Sequence, residues 1–107
     1  MRFEWSQAEK KVARRAFDHA YEREVQEMMD RLRSQVAHMK EARDLWKIEE
    51  ILRKKRKEID RKYDYRYSQL IMVFARLMSE GHLEVEDLEG LDQEKINAIV
   101  FISQGSL

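Results

Sequence analysis

The 107 residues include no proline, no cysteine and three glycines; 39% are charged, with Lys plus Arg balancing Asp plus Glu at 21 against 21. Such material excludes a disulfide-stapled or sheet-rich fold and suits long helices. Electrical neutrality weighs against non-specific nucleic-acid binding, which needs an excess of positive charge to displace counterions. No apolar run approaches the ~20 residues of a membrane-spanning helix, and the opening MRFEWSQ lacks a signal-peptide pattern, so a cytoplasmic protein without membrane insertion is expected.

Ser6 and Glu9 form a capping-box pair that predicts a helix start. From there Val12, Phe17, Tyr21, Val25, Met28, Leu32, Val36 and Met39 recur mostly in steps of three and four, one face of a helix of roughly 30 residues and about 45 Å. Tyr21 and Met28 are seven apart, as are Val25, Leu32 and Met39, the spacing of a helix-packing seam, and Met29 widens it. The face formed by Val25, Met28, Met29, Leu32 and Val36 is broader than one partner helix needs, on a chain too short to cover it. It predicts a homodimer through the long helices, with a closed monomeric hairpin as the alternative.

After the weaker stretch EARD, Asp44 is the candidate cap of a second long helix whose stripe is Leu45, Ile48, Leu52, Ile59, Tyr63, Tyr67, Leu70, Phe74 and Leu77. Gly81 marks its end, in the left-handed position that follows a helix terminus. The preceding LIMVFARLM is apolar around most of its circumference and predicts burial on several sides. A short helix at Val85 to Leu88 and a last one opening at Asp92, with Ile96, Ile99, Val100 and Ile102 as its apolar residues, should cover it. The expected fold is all-α and a single domain over residues 1–107: a long-helix stem over about 6–78 running into a small C-terminal helical head over about 70–104.

Two residues of the second helix break its pattern. Trp46 lies about 120° from the apolar line, beside Glu50, Arg53 and Lys57, on the charged side. It is either an interface anchor ringed by polar groups or a cover for the junction between the long helices. Arg56 sits about 40° from the stripe, where an apolar residue would be expected, and should find a carboxylate. The run RKKRK alternates with Glu49, Glu50, Glu58, Asp60 and Asp64 at spacings that permit local ion pairs, so it reads as a solvated face.

Catalytic and metal chemistry is not legible. His19, His38 and His82 are widely separated, and His38 with Glu41 has the reverse order of the Glu-then-His pairs of di-iron bundles. No phosphate-cradling glycine loop, nucleophile elbow or triad spacing occurs. A non-enzymatic protein without cofactor or metal is expected.

The segments Trp5-Ser6-Gln7-Ala8-Glu9, Asp44-Leu45-Trp46-Lys47, Lys55-Arg56 with Glu58-Ile59-Asp60, and Lys62-Tyr63-Asp64 followed by Arg66 and Ser68 resemble the fluorescence recovery protein family of cyanobacteria. The likeness continues through Val73-Phe74-Ala75 and the Glu80-Gly81 turn and covers almost the whole chain. The resemblance implies an all-helical homodimer that binds the photoactivated red form of the orange carotenoid protein, chiefly through that partner's C-terminal domain. Such proteins speed the return to the orange form and end phycobilisome fluorescence quenching; a location at the thylakoid or phycobilisome surface would follow from the partner. It further implies a partner-binding patch at Trp46, Glu49, Glu50 and Arg56. The family pattern has a histidine and an aspartate where this chain has Glu49 and Glu50, which keeps a second reading open: a dimeric helical interaction module serving another partner in an organism without phycobilisomes.

Overall fold

The computed structural model describes residues 2–105. Helix α1 spans Gln7–Ala37, and its start is set as the sequence indicates. The Ser6 Oγ accepts from the Glu9 amide at 3.1 Å, and the Ser6 amide donates to Glu9 Oε1 at 3.1 Å. Helix α2, Ala42–Lys62, begins earlier than expected: Asp44 is not the N-cap, which is Glu41. Asp44 sits one turn inside, where its Oδ2 accepts from the Lys40 and Glu41 amides at 3.0 Å each, and these bonds hold its carboxyl below the usual range. The same carboxylate therefore satisfies the amides of the cap residue and of the residue before it.

The larger correction is at Lys62. The expected single helix from Leu45 to Leu77 is two helices, because residues 63–69 leave the helical path before α3 starts at Leu70 and runs to Ser79. No glycine or proline forces the break. Tyrosines at every second position do, since a period of two suits an extended segment. Tyr63 and Tyr65 meet Phe17 edge-on at 5.4 and 4.8 Å, Tyr63 meets Tyr21 at 5.3 Å, and Tyr67 lies 5.8 Å from Trp5. The Arg14 guanidinium covers the Tyr65 ring at 4.6 Å, and the Tyr65 hydroxyl donates to the Lys10 carbonyl at 3.4 Å. Each aromatic pair contributes roughly 0.5–1.5 kcal/mol beyond its burial, enough together to outweigh the propensity of a few residues to stay helical.

Helix α3 ends in a Schellman motif around Gly81 at φ +83, with the His82 amide donating to the Leu77 carbonyl at 2.9 Å and the Gly81 amide to Met78 at 3.1 Å. A 3-10 turn at Val85–Leu88 follows, then α4 over Gln93–Ser103 with Asp92 as its N-cap. Between them Gly90, at φ +108, lies so close to α1 that a Cβ there would come within 2.7 Å of Val12 Cγ2. Helices α3 and α4 make the most extensive inter-element packing. Leu70, Val73, Phe74 and Leu77 are buried, whereas Met72 is exposed, so α3 is covered over much of its circumference and open on one side.

The fold is all-α, with no strand among the described residues, and measures 52 × 25 × 21 Å. The head does not draw its core from C-terminal elements alone. Val12, Ala13, Ala16, Phe17 and Ala20 of α1 pack with Leu70, Phe74, Leu77, Leu83, Leu88, Leu91 and Ile99. The apolar stripe of α1 is thus divided: its first half fills the head and its second half runs along the stem. Within α2 only Ile59 and Lys62 are buried. No helix among the described residues is long and apolar enough to cross a membrane.

Candidate functional site

Helix α2 is an arm that carries its charges in matched pairs. C-terminal to Trp46, Arg53 Nε lies 3.3 Å from Glu49 and Lys54 Nζ 3.1 Å from Glu50, while Arg56 Nε lies 3.4 Å from Asp60 Oδ2. The hydrogen-bonded Lys54 ammonium holds the Glu50 carboxyl below its usual range. Most cations of RKKRK are therefore neutralised along the helix, as the interleaved carboxylates predict. Arg56 does find its carboxylate, yet its side chain is 80% exposed, so within one chain nothing shields it.

Trp46 is 64% exposed. It neither packs on α1 of the same chain nor covers the junction between the helices, so the largest apolar side chain of the arm is left to water. Around it the sequence-predicted residues divide into two groups. Glu49, Glu50 and Arg56 share its helix and are exposed. The seam of α1 is open as well: Met29 and Val36 are exposed, and Val25, Met28 and Leu32 are half-buried. Met39, Leu45, Ile51 and Leu52 are exposed too, so the stem carries apolar side chains that one chain does not cover.

A second polar constellation, which the sequence reading missed, fills the junction of stem and head. Glu24 of α1 is buried and accepts from Lys62 Nζ at 2.6 Å through Oε2 and from the Tyr63 hydroxyl at 2.7 Å through Oε1. The same Lys62 ammonium donates to Glu80 Oε1 at 2.7 Å, and Arg76 donates to Glu80 Oε2 at 3.1 Å. Burial by itself would raise the Glu24 and Glu80 carboxyls; the Lys62 hydrogen bonds lead the contacts that pull both below the usual range. Burial also drives the Tyr63 hydroxyl strongly upward, with the bond to Glu24 acting the same way. His82 brings its Nε2 to 3.6 Å from Glu24, so Glu24, Glu80 and His82 converge like a set of metal ligands. The cation position between the carboxylates is filled by Lys62. The signal in the sequence was Glu24 on the apolar face, seven residues after Phe17, and Lys62 three after Ile59.

The head has its own buried pair. Glu9 Oε2 accepts from Lys95 Nζ at 2.8 Å and from the Asp92 amide at 2.9 Å, while Lys95 lies over the Trp5 ring at 5.1 Å. Burial opposes ionisation of Glu9, but Lys95 and the Asp92 and Ser6 amides outweigh it and hold the carboxyl at about 2. Glu9 thus serves two purposes, closing the α1 capping box and fastening α4 to α1. An open cleft lined by Trp5, Tyr67, Ile71, Met72 and Ile102 also carries Arg2, Glu4 and Lys10 on its walls.

The chain is similar to known proteins over most of its length. The family described as photoprotection regulator fluorescence recovery protein matches residues 5–103. The fluorescence recovery protein of Synechocystis sp. PCC 6803 is 41% identical over 95 residues, spanning 89% of this chain and 87% of that protein. The structure of the Fremyella diplosiphon fluorescence recovery protein superposes with a TM-score of 0.89 at 42% identity, covering 94% of this chain and 99% of that one. The Synechocystis structure gives 0.89 at 39% identity with the same coverage.

Proposed function

The chain belongs to the fluorescence recovery protein family of photoprotection regulators, and from that premise we propose that it binds the photoactivated orange carotenoid protein, through that partner's C-terminal domain, and accelerates its return to the orange form. The supporting observation is Trp46, 64% exposed on an arm whose neighbouring charges are already paired among themselves. A rigid aromatic surrounded by groups that exclude water is the composition of a binding hot spot. Glu49, Glu50 and Arg56 complete the patch. Affinity for the red form alone would slow its decay; acceleration requires that the patch hold the route between the two states more tightly than the starting state.

The test is absorbance recovery of photoactivated orange carotenoid protein in the dark, with and without this protein. Acceleration that Trp46→Leu reduces while helicity is retained is the expected result. Unchanged recovery at saturating concentration for several carotenoid-protein variants favours the second reading, a module for another partner, which the glutamates at positions 49 and 50 support.

The functional unit in this reading is a homodimer joined along the open seam of α1 at Val25, Met28, Met29, Leu32 and Val36. Leu32→Glu places a carboxylate in that apolar contact and should separate the subunits. Light scattering that finds the wild type monomeric at tens of micromolar, on the order of working concentrations for obligate dimers, excludes it. The protein acts in the cytoplasm and reaches the phycobilisome surface through its partner.

A further inference from the structure

The three exposed i,i+4 ion pairs of the arm, Arg53–Glu49, Lys54–Glu50 and Arg56–Asp60, are not equivalent. Glu49 and Glu50 each stand one turn toward the N-terminus from Arg53 and Lys54, the order that the helix dipole favours. Arg56 and Asp60 have the opposite order, and Asp60 lies in the last turn of a helix that ends at Lys62, where unpaired carbonyls repel a carboxylate. Their contact runs through Nε at 3.4 Å, long for a charge-assisted hydrogen bond, with side chains 80% and 66% exposed. Asp60 makes no other ion pair among the described residues and caps nothing. The fold gains little from it.

We propose that Asp60 is a placeholder on Arg56: it occupies the guanidinium in the free protein, gives way to a carboxylate of the partner, and so sets how tightly the arm binds. This rests on the reading of α2 as the partner-facing surface. A guanidinium presents a planar fork that a carboxylate from outside can engage through two parallel bonds, whereas Asp60, tethered one turn away on the same helix, meets only its Nε edge. The exchange therefore replaces a weak, solvent-screened contact with a stronger one as the partner excludes water. Lys57 and Arg61 flank the site, so displacement of Asp60 leaves a locally positive surface that favours an acidic segment. Arg56 is thus matched to an acid on the partner, and Asp60 holds the affinity below what the arm could reach.

The experiment is a double-mutant cycle read as affinity for photoactivated orange carotenoid protein and as the rate of its dark recovery. Asp60→Asn should tighten binding about two- to fivefold, the range of an exposed pair, with the melting temperature of the free protein unchanged. In an Arg56→Gln background the same substitution should have no effect. Overturning results are an unchanged or weakened affinity for Asp60→Asn while Trp46→Leu and Arg56→Gln weaken binding, or an equal gain in both backgrounds, which would mark a general field effect. Absence of binding by the wild type overturns the placeholder together with the function it rests on, and is recognised by Trp46→Leu and Arg56→Gln behaving as the wild type does.

Discussion

The junction and the arm of this protein use the same chemistry, carboxylates facing lysines and arginines, and they obtain opposite things from it. At the junction Glu24 and Lys62 have side chains 3% and 1% exposed and meet at 2.6 Å; on the arm Glu50 and Lys54 are 52% and 74% exposed at 3.1 Å. Buried, neither partner of a pair can be removed without stranding the other in a medium that does not solvate it. Exposed, either can be removed and water takes its place. Burial, and not the number of pairs, decides which of the many charges hold the fold and which stay exchangeable with water.

The sharpest way to break that contrast is Lys62→Met, which takes from buried Glu24 its hydrogen-bonded cation and leaves Glu80 with Arg76 alone, and should destabilise the chain by about 3–5 kcal/mol. Thermal unfolding reads it, and Glu24→Leu combined with Lys62→Met should recover much of the loss because no charge is then stranded. A change near zero for Lys62→Met would mean that the junction is as permissive as the arm.

Acid provides the next test. The Glu9 carboxyl is lowered from its ordinary 4.5 to about 2, and Glu24 and Glu80 are also lowered. A group depressed in the folded state contributes stability above its unfolded pKa and loses it as pH falls through the folded value. Glu9 should therefore contribute on the order of 3 kcal/mol at neutral pH, lost between pH 4.5 and about 2. Glu9→Gln should flatten that part of the stability–pH curve, and a variant that still tracks the wild type through this window would contradict the assignment. The smallest effect belongs to the arm: Glu50→Gln and Arg53→Gln should each leave the melting temperature almost unchanged, and a loss comparable to that of Lys62→Met would erase the distinction.

What could be read in the sequence followed from local rules. The α1 capping box, the left-handed Gly81, the turn at Val85–Leu88 and the N-cap Asp92 each depend on a few neighbouring residues, and each stands where the sequence puts it. The break at residues 63–69 was hidden because Tyr63, Tyr67 and Leu70 also satisfy a helical period, and the rings that pull the segment away, Phe17 and Tyr21, are more than 40 residues distant. The division of the α1 stripe was hidden likewise, since Ala13, Ala16 and Ala20 are too small to stand out as core. The exposed patch at Trp46 was legible as an aromatic out of register. The junction was not, although the rule that drew notice to Arg56, a charge within an apolar stripe, applies with more force to Glu24 and Lys62, whose burial only the folded chain reveals.

The Glu9–Lys95 contact spans 86 residues of sequence. On a ribosome that emits the chain from its N-terminus, α1 must wait, its alanine-lined face and its acid both unanswered, until α4 has emerged. The arm has no such debt to the end of the chain, because α1 and α2 are neighbours in sequence and their contacts close over a short loop. Synthesis therefore makes the arm before the head can close: α2 emerges ahead of α4, whose Lys95 completes the pair with Glu9.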